Sequence, residues 1–452
     1  MNILIVGCGK AGSILAQTLC NEEHDVTVMD TDPDVVRALV DNNDVQGVVG
    51  SALIVADLQA AGVEHTNIII AMTDSDETNL MCCLIARKCG AKHSVARVRN
   101  PIYSSQLVFM REEMGISMMI NPEYQTANEI ARMLRYPNAI HVETFAKGRM
   151  DLAEIKVAEG GALDGIQLAA IRPKLGLRIL VCAVRRGDDI TIPDGSFVLK
   201  AGDRIYITAM HADLGRLYKI VGELKSRVKD CIIVGGGKIS FYLVRQLLEL
   251  GIQVKIIEID PERCDQLAEW FPKANIIRAD GTDQDILMEE GLENADSAIM
   301  LTGIDEENII LSLYAKKIGV DKIVTKINRS SLLSISESVG LENIVSPKET
   351  TAELILQYVR AKQNSQNSNI ITLYRLAEDK LEAIEFIVRG GAKYVGAELR
   401  DLQVRPGFLI AGIIRGNKRI IPSGTDCLKV NDSVVVVTTN RKITSLDVMF
   451  QE

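Results

Sequence analysis

One plan is written twice along this chain. Gly7-Cys8-Gly9-Lys10 returns as Gly235-Gly236-Gly237-Lys238, and Asp30-Thr31-Asp32-Pro33 as Glu258-Ile259-Asp260-Pro261, both after 228 residues. Ala61-Gly62-Val63 returns as Glu290-Gly291-Leu292 after 229 residues. So does Thr73-Asp74-Ser75-Asp76-Glu77-Thr78-Asn79, as Thr302-Gly303-Ile304-Asp305-Glu306-Glu307-Asn308. Pro122 with Thr126-Ala127 is matched by Pro347 with Thr351-Ala352. Further on, Ile192-Pro193-Asp194-Gly195 meets Ile421-Pro422-Ser423-Gly424, and Asp203 meets Asp432. A repeat of this length means that any fold must be two copies of one unit. A chain of 452 residues is also too long for one ordinary core and divides into about three or four domains.

The first part of each unit alternates strands and helices. Residues 3–6 and 231–234 are continuous apolar runs, as expected of parallel strands buried on both faces. Glycines follow, then helical stretches at 11–20 and 239–250. Second strands lie at 26–29 and 254–257, and fourth strands at 68–72 and 298–301. This alternation over roughly 130 residues predicts an α/β fold, a doubly wound parallel sheet of Rossmann type, in each unit. The second part reads differently. Strands at 179–184 and 409–414 run into turns at Gly187-Asp188 and Gly416-Asn417, and further strands lie at 205–208 and 434–437. These predict a small α+β, strand-rich module of about 80 residues. The boundaries expected are 1–135 and 228–361 for the Rossmann-like domains, and 138–222 and 369–452 for the small modules. The polar stretch 362–369 reads as a hinge, and 224–229 joins the two units.

Gly7-x-Gly9-x-x-Gly12 follows a strand and opens a helix, the context that a dinucleotide-binding glycine loop requires. Such glycines allow a tight turn and bring the backbone close to a pyrophosphate at the helix N-terminus. Asp30 ends the second strand, where its carboxylate can accept hydrogen bonds from both ribose hydroxyls and repel a 2′-phosphate. NAD(H) or an adenine nucleotide is therefore expected over NADP. In the second copy Gly235 and Gly237 persist, Ser240 replaces the third glycine, and Glu258 replaces the aspartate at the same spacing. Thr73-Asp74 and Thr302-Gly303 follow the fourth strands, at the sheet edge that faces ligands, although Thr or Asp there could instead cap the next helix. Ser51 and Asp280 stand after the third strands, near an adenine edge. Arg97 and its counterpart Lys326 are placed to pair with phosphate.

Other chemistry finds little support. The formal charge of −9 argues against a non-specific nucleic-acid binder. No apolar run reaches the ~18–20 residues that span a bilayer, and the beginning of the chain does not read as a signal peptide, so a soluble cytoplasmic protein is expected. Nine scattered cysteines without a C-x-x-C pair read as buried small hydrophobes, and five dispersed histidines give no metal-ligand spacing. No P-loop is present, and neither small module carries an acid–base constellation for hydride chemistry. Binding without catalysis fits a sensor. The alternative is an NAD-dependent oxidoreductase with tandem Rossmann domains, of saccharopine-dehydrogenase-like organisation.

Over its full length the chain resembles the TrkA family, cytoplasmic regulatory subunits of Trk potassium-uptake systems built from two RCK (KTN) domains and two RCK C-terminal modules. The resemblance is carried by Gly7-Cys8-Gly9-Lys10-Ala11-Gly12, Asp30-Thr31-Asp32, the string 71–79 and Ala96-Arg97-Val98-Arg99-Asn100-Pro101. It implies a non-enzymatic, tetrameric ring that binds NAD(H), or ATP/ADP, and docks at the inner face of the membrane beneath a TrkH/TrkG-like pore. A regulator of a different transporter is a further reading. By position the resemblance assigns nucleotide contacts to Gly7, Cys8, Gly9, Lys10, Ala11, Asp30, Ser51, Thr73, Asp74 and Arg97. In the second unit they fall on Gly235, Gly236, Gly237, Lys238, Ile239, Glu258, Asp280, Thr302 and Lys326. Metal and catalytic residues are not expected.

Overall fold

A computed structural model describes the chain except residues 105–110, 112, 136–140, 146–149, 222–227, 365–369, 377–379, 393, 417, 441–442, 444 and 451–452. The chain forms two compact units that do not run consecutively. One comprises 1–134 with 228–359, the other 135–227 with 360–452. The repeat thus pairs like with like.

The first unit holds two six-stranded parallel sheets. In the first sheet the strands are β1 (Asn2–Val6), β2 (Asp25–Asp30), β3 (Gln46–Val49), β4 (Ile68–Ala71), β5 (His93–Arg97) and β6 (Met118–Ile120), in the order β3-β2-β1-β4-β5-β6. The helices are α1 (Lys10–Asn21), α2 (Pro33–Asn42), α3 (Val55–Ala60), α4 (Asp76–Lys88), α5 (Pro101–Ser104) and α6 (Pro122–Arg135). β1 is buried from Ile3 to Val6, as a strand with parallel neighbours on both sides must be. The strand order reverses between β1 and β4, which opens a crevice at their carboxyl ends. Beyond the first small module, the second sheet repeats the plan. Its strands are β12 (Asp230–Val234), β13 (Gln253–Glu258), β14 (Asn275–Arg278), β15 (Ser297–Met300), β16 (Lys322–Lys326) and β17 (Ile344–Val345), ordered β14-β13-β12-β15-β16-β17. Its helices are α9 (Lys238–Glu249), α10 (Pro261–Trp270), α11 (Gln284–Glu289), α12 (Asp305–Ile318), α13 (Leu333–Ser338) and α14 (Pro347–Asn364).

The two domains exchange their last helices. Ala127, Ile130, Ala131 and Leu134 of α6 are buried in the core of the second domain with Cys231, Leu243 and Leu247. The equivalent residues of α14, Ala352, Ile355, Leu356 and Val359, are buried in the core of the first domain with Ile3, Ile5 and Leu15. Burying a large aliphatic side chain contributes on the order of 1.5–3 kcal/mol, so each exchanged helix ties the domains together by several kcal/mol. Polar contacts fix the register: Gln246 Nε2 donates to Asn128 Oδ1 at 2.7 Å, and Asn121 Nδ2 to the Tyr242 hydroxyl at 2.9 Å. The polar stretch expected to be a hinge is helical through Asn364. Lys362 lies in the last turn of α14, where a cation complements the helix dipole. Residues 365–369, most of 224–229 and Asn417 lie outside the described residues.

The second unit contains two antiparallel five-stranded sheets. β7 (His141–Phe145), β8 (Met150–Lys156), β9 (Ile179–Arg186), β10 (Asp189–Thr191) and β11 (Arg204–Ala209), with α7 (Leu168–Leu175) and α8 (His211–Ile220), form one in the order β10-β9-β11-β8-β7. β18 (Ile370–Leu376), β19 (Leu381–Ile387), β20 (Phe408–Arg415), β21 (Lys418–Ile420) and β22 (Ser433–Thr438) form the other, in the order β18-β19-β22-β20-β21. One shared core joins them: Met150, Leu152, Cys182 and Tyr206 pack with Leu381, Ala383, Ala411 and Val437. The repeated Asp203 and Asp432, each about 1% exposed, receive Arg186 and Arg415 in two-pronged ion pairs at 2.7–2.9 Å. Among the described residues no helix is long and apolar enough to cross a membrane.

Candidate functional site

Both glycine loops depend on glycine itself. Gly7 has φ +86°, and a Cβ there would lie 2.6 Å from the Thr73 amide nitrogen. Gly235 has φ +101°, with the Leu301 oxygen 2.8 Å from the equivalent point. A Cβ on Gly12 would run into the Gly7 carbonyl. In the second loop Ser240 is accommodated instead, and its Oγ donates to the Gly235 oxygen at 2.5 Å. Each loop ends on an N-cap without a side-chain acceptor, Gly9 for α1 and Gly237 for α9. The neighbouring helices differ: Asp32 caps α2 and Asp260 caps α10. The amides opening α1 and α9 therefore remain available to an anion, with the helix dipole behind them.

The strand-end acids stand beside these loops. Asp30 Oδ2 accepts the Cys8 N–H at 2.6 Å, and Glu258 Oε2 accepts the Gly236 N–H at 2.5 Å. Each carboxylate, at the carboxyl end of its strand, pins its own loop. Burial, reinforced by the Asp30 charge, pushes the Cys8 thiol up to about 12, so it carries no thiolate near neutrality. The second loop has an extra clasp. Arg263 Nε donates to the Gly236 oxygen at 2.6 Å, and its guanidinium lies 5.0 Å from the Trp270 ring.

Thr73 and Thr302 brace the crevice. The Thr73 N–H and hydroxyl donate to Asn79 Oδ1 at 2.8 and 2.7 Å, and Asn79 Nδ2 donates to the Arg97 oxygen at 2.9 Å. Asn308 repeats the arrangement with the Thr302 N–H at 2.9 Å and the Lys326 oxygen at 3.0 Å, and both asparagines are fully buried. Ser75, rather than Thr73 or Asp74, caps α4, by accepting the Thr78 N–H. Asp76 and Asp305, also buried, hold the backbone after β5 and β16 through the amides of Arg99, Asn100, Asn328 and Arg329. The acid-rich string after the fourth strand is thus largely an internal brace.

Both loops open onto one cavity of about 690 Å³ in the first unit. Gly9, Lys10 and Ala11 line it from one side, and Gly237, Lys238 and Ile239 from the other. Asp74, Arg97 and Lys326 also line it, whereas Gly7, Cys8, Asp30, Ser51, Thr73, Gly235, Gly236, Glu258, Asp280 and Thr302 lie outside its lining. The Ser51 amide donates to Asp57 and its Oγ accepts the Leu53 N–H, while Asp280 Oδ1 accepts the Thr282 N–H and hydroxyl, so both organise local turns. The Arg97 side chain is 13% exposed and stands 3.9 Å from exposed Asp74, with its buried Nε lacking a hydrogen-bond partner among the described residues. Burial holds the Lys326 ammonium below its usual range, against the pull of Asp305 and Glu123.

Sequence reasoning missed three charged lining residues, Arg99, Glu123 and Lys348. Arg99 pairs with Glu123 at 2.6 Å, and Lys348 donates to the Asn328 oxygen at 3.1 Å. The repeated Pro122 and Pro347, one residue ahead of Glu123 and Lys348, were the available signal for those two. The cationic side chains at the cavity are six, against the carboxylates of Asp74 and Glu123. Two bare helix N-termini and this excess of cations suit phosphate-bearing ligands.

Fold and site define a class: a tandem Rossmann protein whose two glycine loops share one cationic cavity. The TrkA-N domain family matches residues 3–122 and 231–347, and the TrkA-C domain family matches 152–222 and 383–450. The Trk system potassium uptake protein TrkA of Halomonas elongata is 32% identical over 460 residues, covering 100% of this chain and 99% of its own length. A homologue from Archaeoglobus fulgidus is 31% identical over 451 residues and covers both chains fully. The solved GsuK channel and its NAD-bound form, each 19% identical, share the fold with TM-scores of 0.64 and 0.62, over 97% of this chain and 77% of theirs. The chain belongs to the TrkA family.

Proposed function

We propose that the chain is the nucleotide-binding regulatory subunit of a Trk-type potassium-uptake system. It acts at the cytoplasmic face of the membrane on a TrkH/TrkG-like translocating subunit and assembles as a homotetramer. The observation that carries the reading is the pair of side-chain-free helix N-termini, at Gly9 and Gly237, facing one cationic cavity. Gly7 to Ala11, Asp30, Thr73, Asp74 and Arg97 serve the first nucleotide, and Gly235 to Ile239, Glu258, Thr302 and Lys326 the second. Ser51 and Asp280 shape the loops beside them. Asp30 and Glu258 favour an unphosphorylated ribose, hence NAD(H) or ATP/ADP. Full-length relatives named for potassium uptake support a regulator over the oxidoreductase alternative.

A ligand that binds two conformations of the paired domains unequally shifts their balance, and the membrane partner reads that shift. The test is potassium flux in reconstituted vesicles holding the membrane subunit, with and without nucleotide. Nucleotide-dependent flux that disappears with Asp30→Ala supports the reading; flux indifferent to nucleotide and to Asp30 refutes it.

A further inference from the structure

One tyrosine reaches from the second Rossmann-like domain to the first, and nothing at the equivalent position reaches back. Tyr242 lies early in α9, just beyond the second glycine loop, and it is buried. Its hydroxyl accepts the Asn121 Nδ2–H at 2.9 Å and donates to the Arg99 oxygen at 3.3 Å. Its ring meets Tyr124 edge-on, with the centroids 5.5 Å apart. Asn121 immediately precedes Pro122 and Glu123, which line the cavity together with Arg99. The Arg99 and Asn100 amides are held in turn by Asp76. A helix that opens on one nucleotide loop is thus bonded to the cavity wall that the other domain supplies.

The repeat supplies the comparison. Ile14 of α1 stands in the place of Tyr242, and Ser346 in the place of Asn121. Ile14 has no hydroxyl, and Ser346 Oγ is buried without a hydrogen-bond partner among the described residues. Asn328, the counterpart of Arg99, has its oxygen bonded by Lys348 of α14 rather than by a side chain of α1. Each bond of a buried hydroxyl contributes on the order of 0.5–1.5 kcal/mol and fixes direction as well, so Tyr242 holds the start of α9 and the wall in one arrangement. A phosphate seated at the N-terminus of α9 orders that turn, and the same bonds carry the order to the wall. A ligand entering the first site then has less left to order.

We infer that the Tyr242 hydroxyl couples the two nucleotide sites, so that filling the second raises the affinity of the first. Linkage makes the effect reciprocal, although only one copy of the repeat supplies the bond. Tyr242 does not line the cavity and acts as a positioning residue, through Asn121 and the Arg99 backbone. The inference rests on the nucleotide-binding reading above and adds to it the regulation of one site by the other.

Calorimetric titration of the full chain with ATP and, separately, with NAD tests it in a double-mutant cycle. Glu258→Ala is expected to empty the second site, so first-site affinity is compared with the second site filled and empty. With Tyr242 in place, Glu258→Ala should weaken the first site by about fivefold or more, the lower end of coupling between sites. In the Tyr242→Phe background, which keeps the ring, Glu258→Ala should change first-site affinity by about twofold or less. Gln246→Ala removes a separate bond between α9 and α6, to Asn128, and should keep the full coupling. Equal coupling with tyrosine and phenylalanine, no coupling in the wild type, or an equal loss with Gln246→Ala each overturns the role of the hydroxyl while leaving nucleotide binding in place. Absence of binding by both ligands, or two phases that survive Glu258→Ala, overturns the reading of the sites as well.

Discussion

At the scale of single residues, Asp30 does two things at once. It is the ribose acceptor of the proposed nucleotide site, and it holds the Cys8 amide at 2.6 Å. Asp30→Ala is therefore expected to weaken nucleotide binding at the first site by about ten- to a hundredfold, the range for bonds to a charged group, as read by calorimetry. Asp30→Asn, which keeps an acceptor for the loop amide, should lose less. Lys326 adds a pH signature. Burial lowers its folded-state pKa below the ordinary 10.5, so between those values the unfolded chain holds a proton that the folded chain lacks. Stability of the ligand-free protein then rises with pH across that window and is lost as pH falls through the lowered value. A phosphate in the cavity restores the proton, so binding should take up protons in that window and weaken as pH rises through it. Titration in two buffers of different ionisation enthalpy checks this, and Lys326→Met should remove it.

At the scale of elements, the exchanged helices join the two Rossmann-like domains. Ile130 of α6 and Ile355 of α14 are fully buried in the core of the domain that did not supply them. Ile130→Ala or Ile355→Ala should each destabilise by about 2–5 kcal/mol in denaturant titration, through lost burial and the cavity left behind. The second loop offers a milder test. Arg263, which clasps Gly236, is replaced by Val35 in the first copy, and it lies against Trp270, the only tryptophan of the chain. Arg263→Val should lower nucleotide affinity at the second site several-fold and reduce the change in Trp270 fluorescence on binding. Sheets, loops and strand-end acids were legible in the sequence because apolar runs, glycine spacing and carboxylates repeat at one offset. The helix exchange was not, since Ala127, Ile130 and Leu134 show that α6 has an apolar face without saying which sheet receives it. Nor did spacing show that Asn79 and Asn308 would be buried braces. That Glu123 and Lys348 line one cavity is plain only once both prolines are seen at it.

At the scale of the whole molecule, duplication within one chain lets the two sites differ, through Ser240, Glu258 and Arg263 in the second copy, where the first has Gly12, Asp30 and Val35. The central claim is that two inequivalent nucleotide sites share one cavity. Calorimetric titration of the wild type, Asp30→Ala and Glu258→Ala with NAD, NADH, ATP and ADP tests it most directly. The account predicts two binding phases in the wild type, with each variant losing a different one. A single phase, or two phases that both survive in both variants, would contradict it.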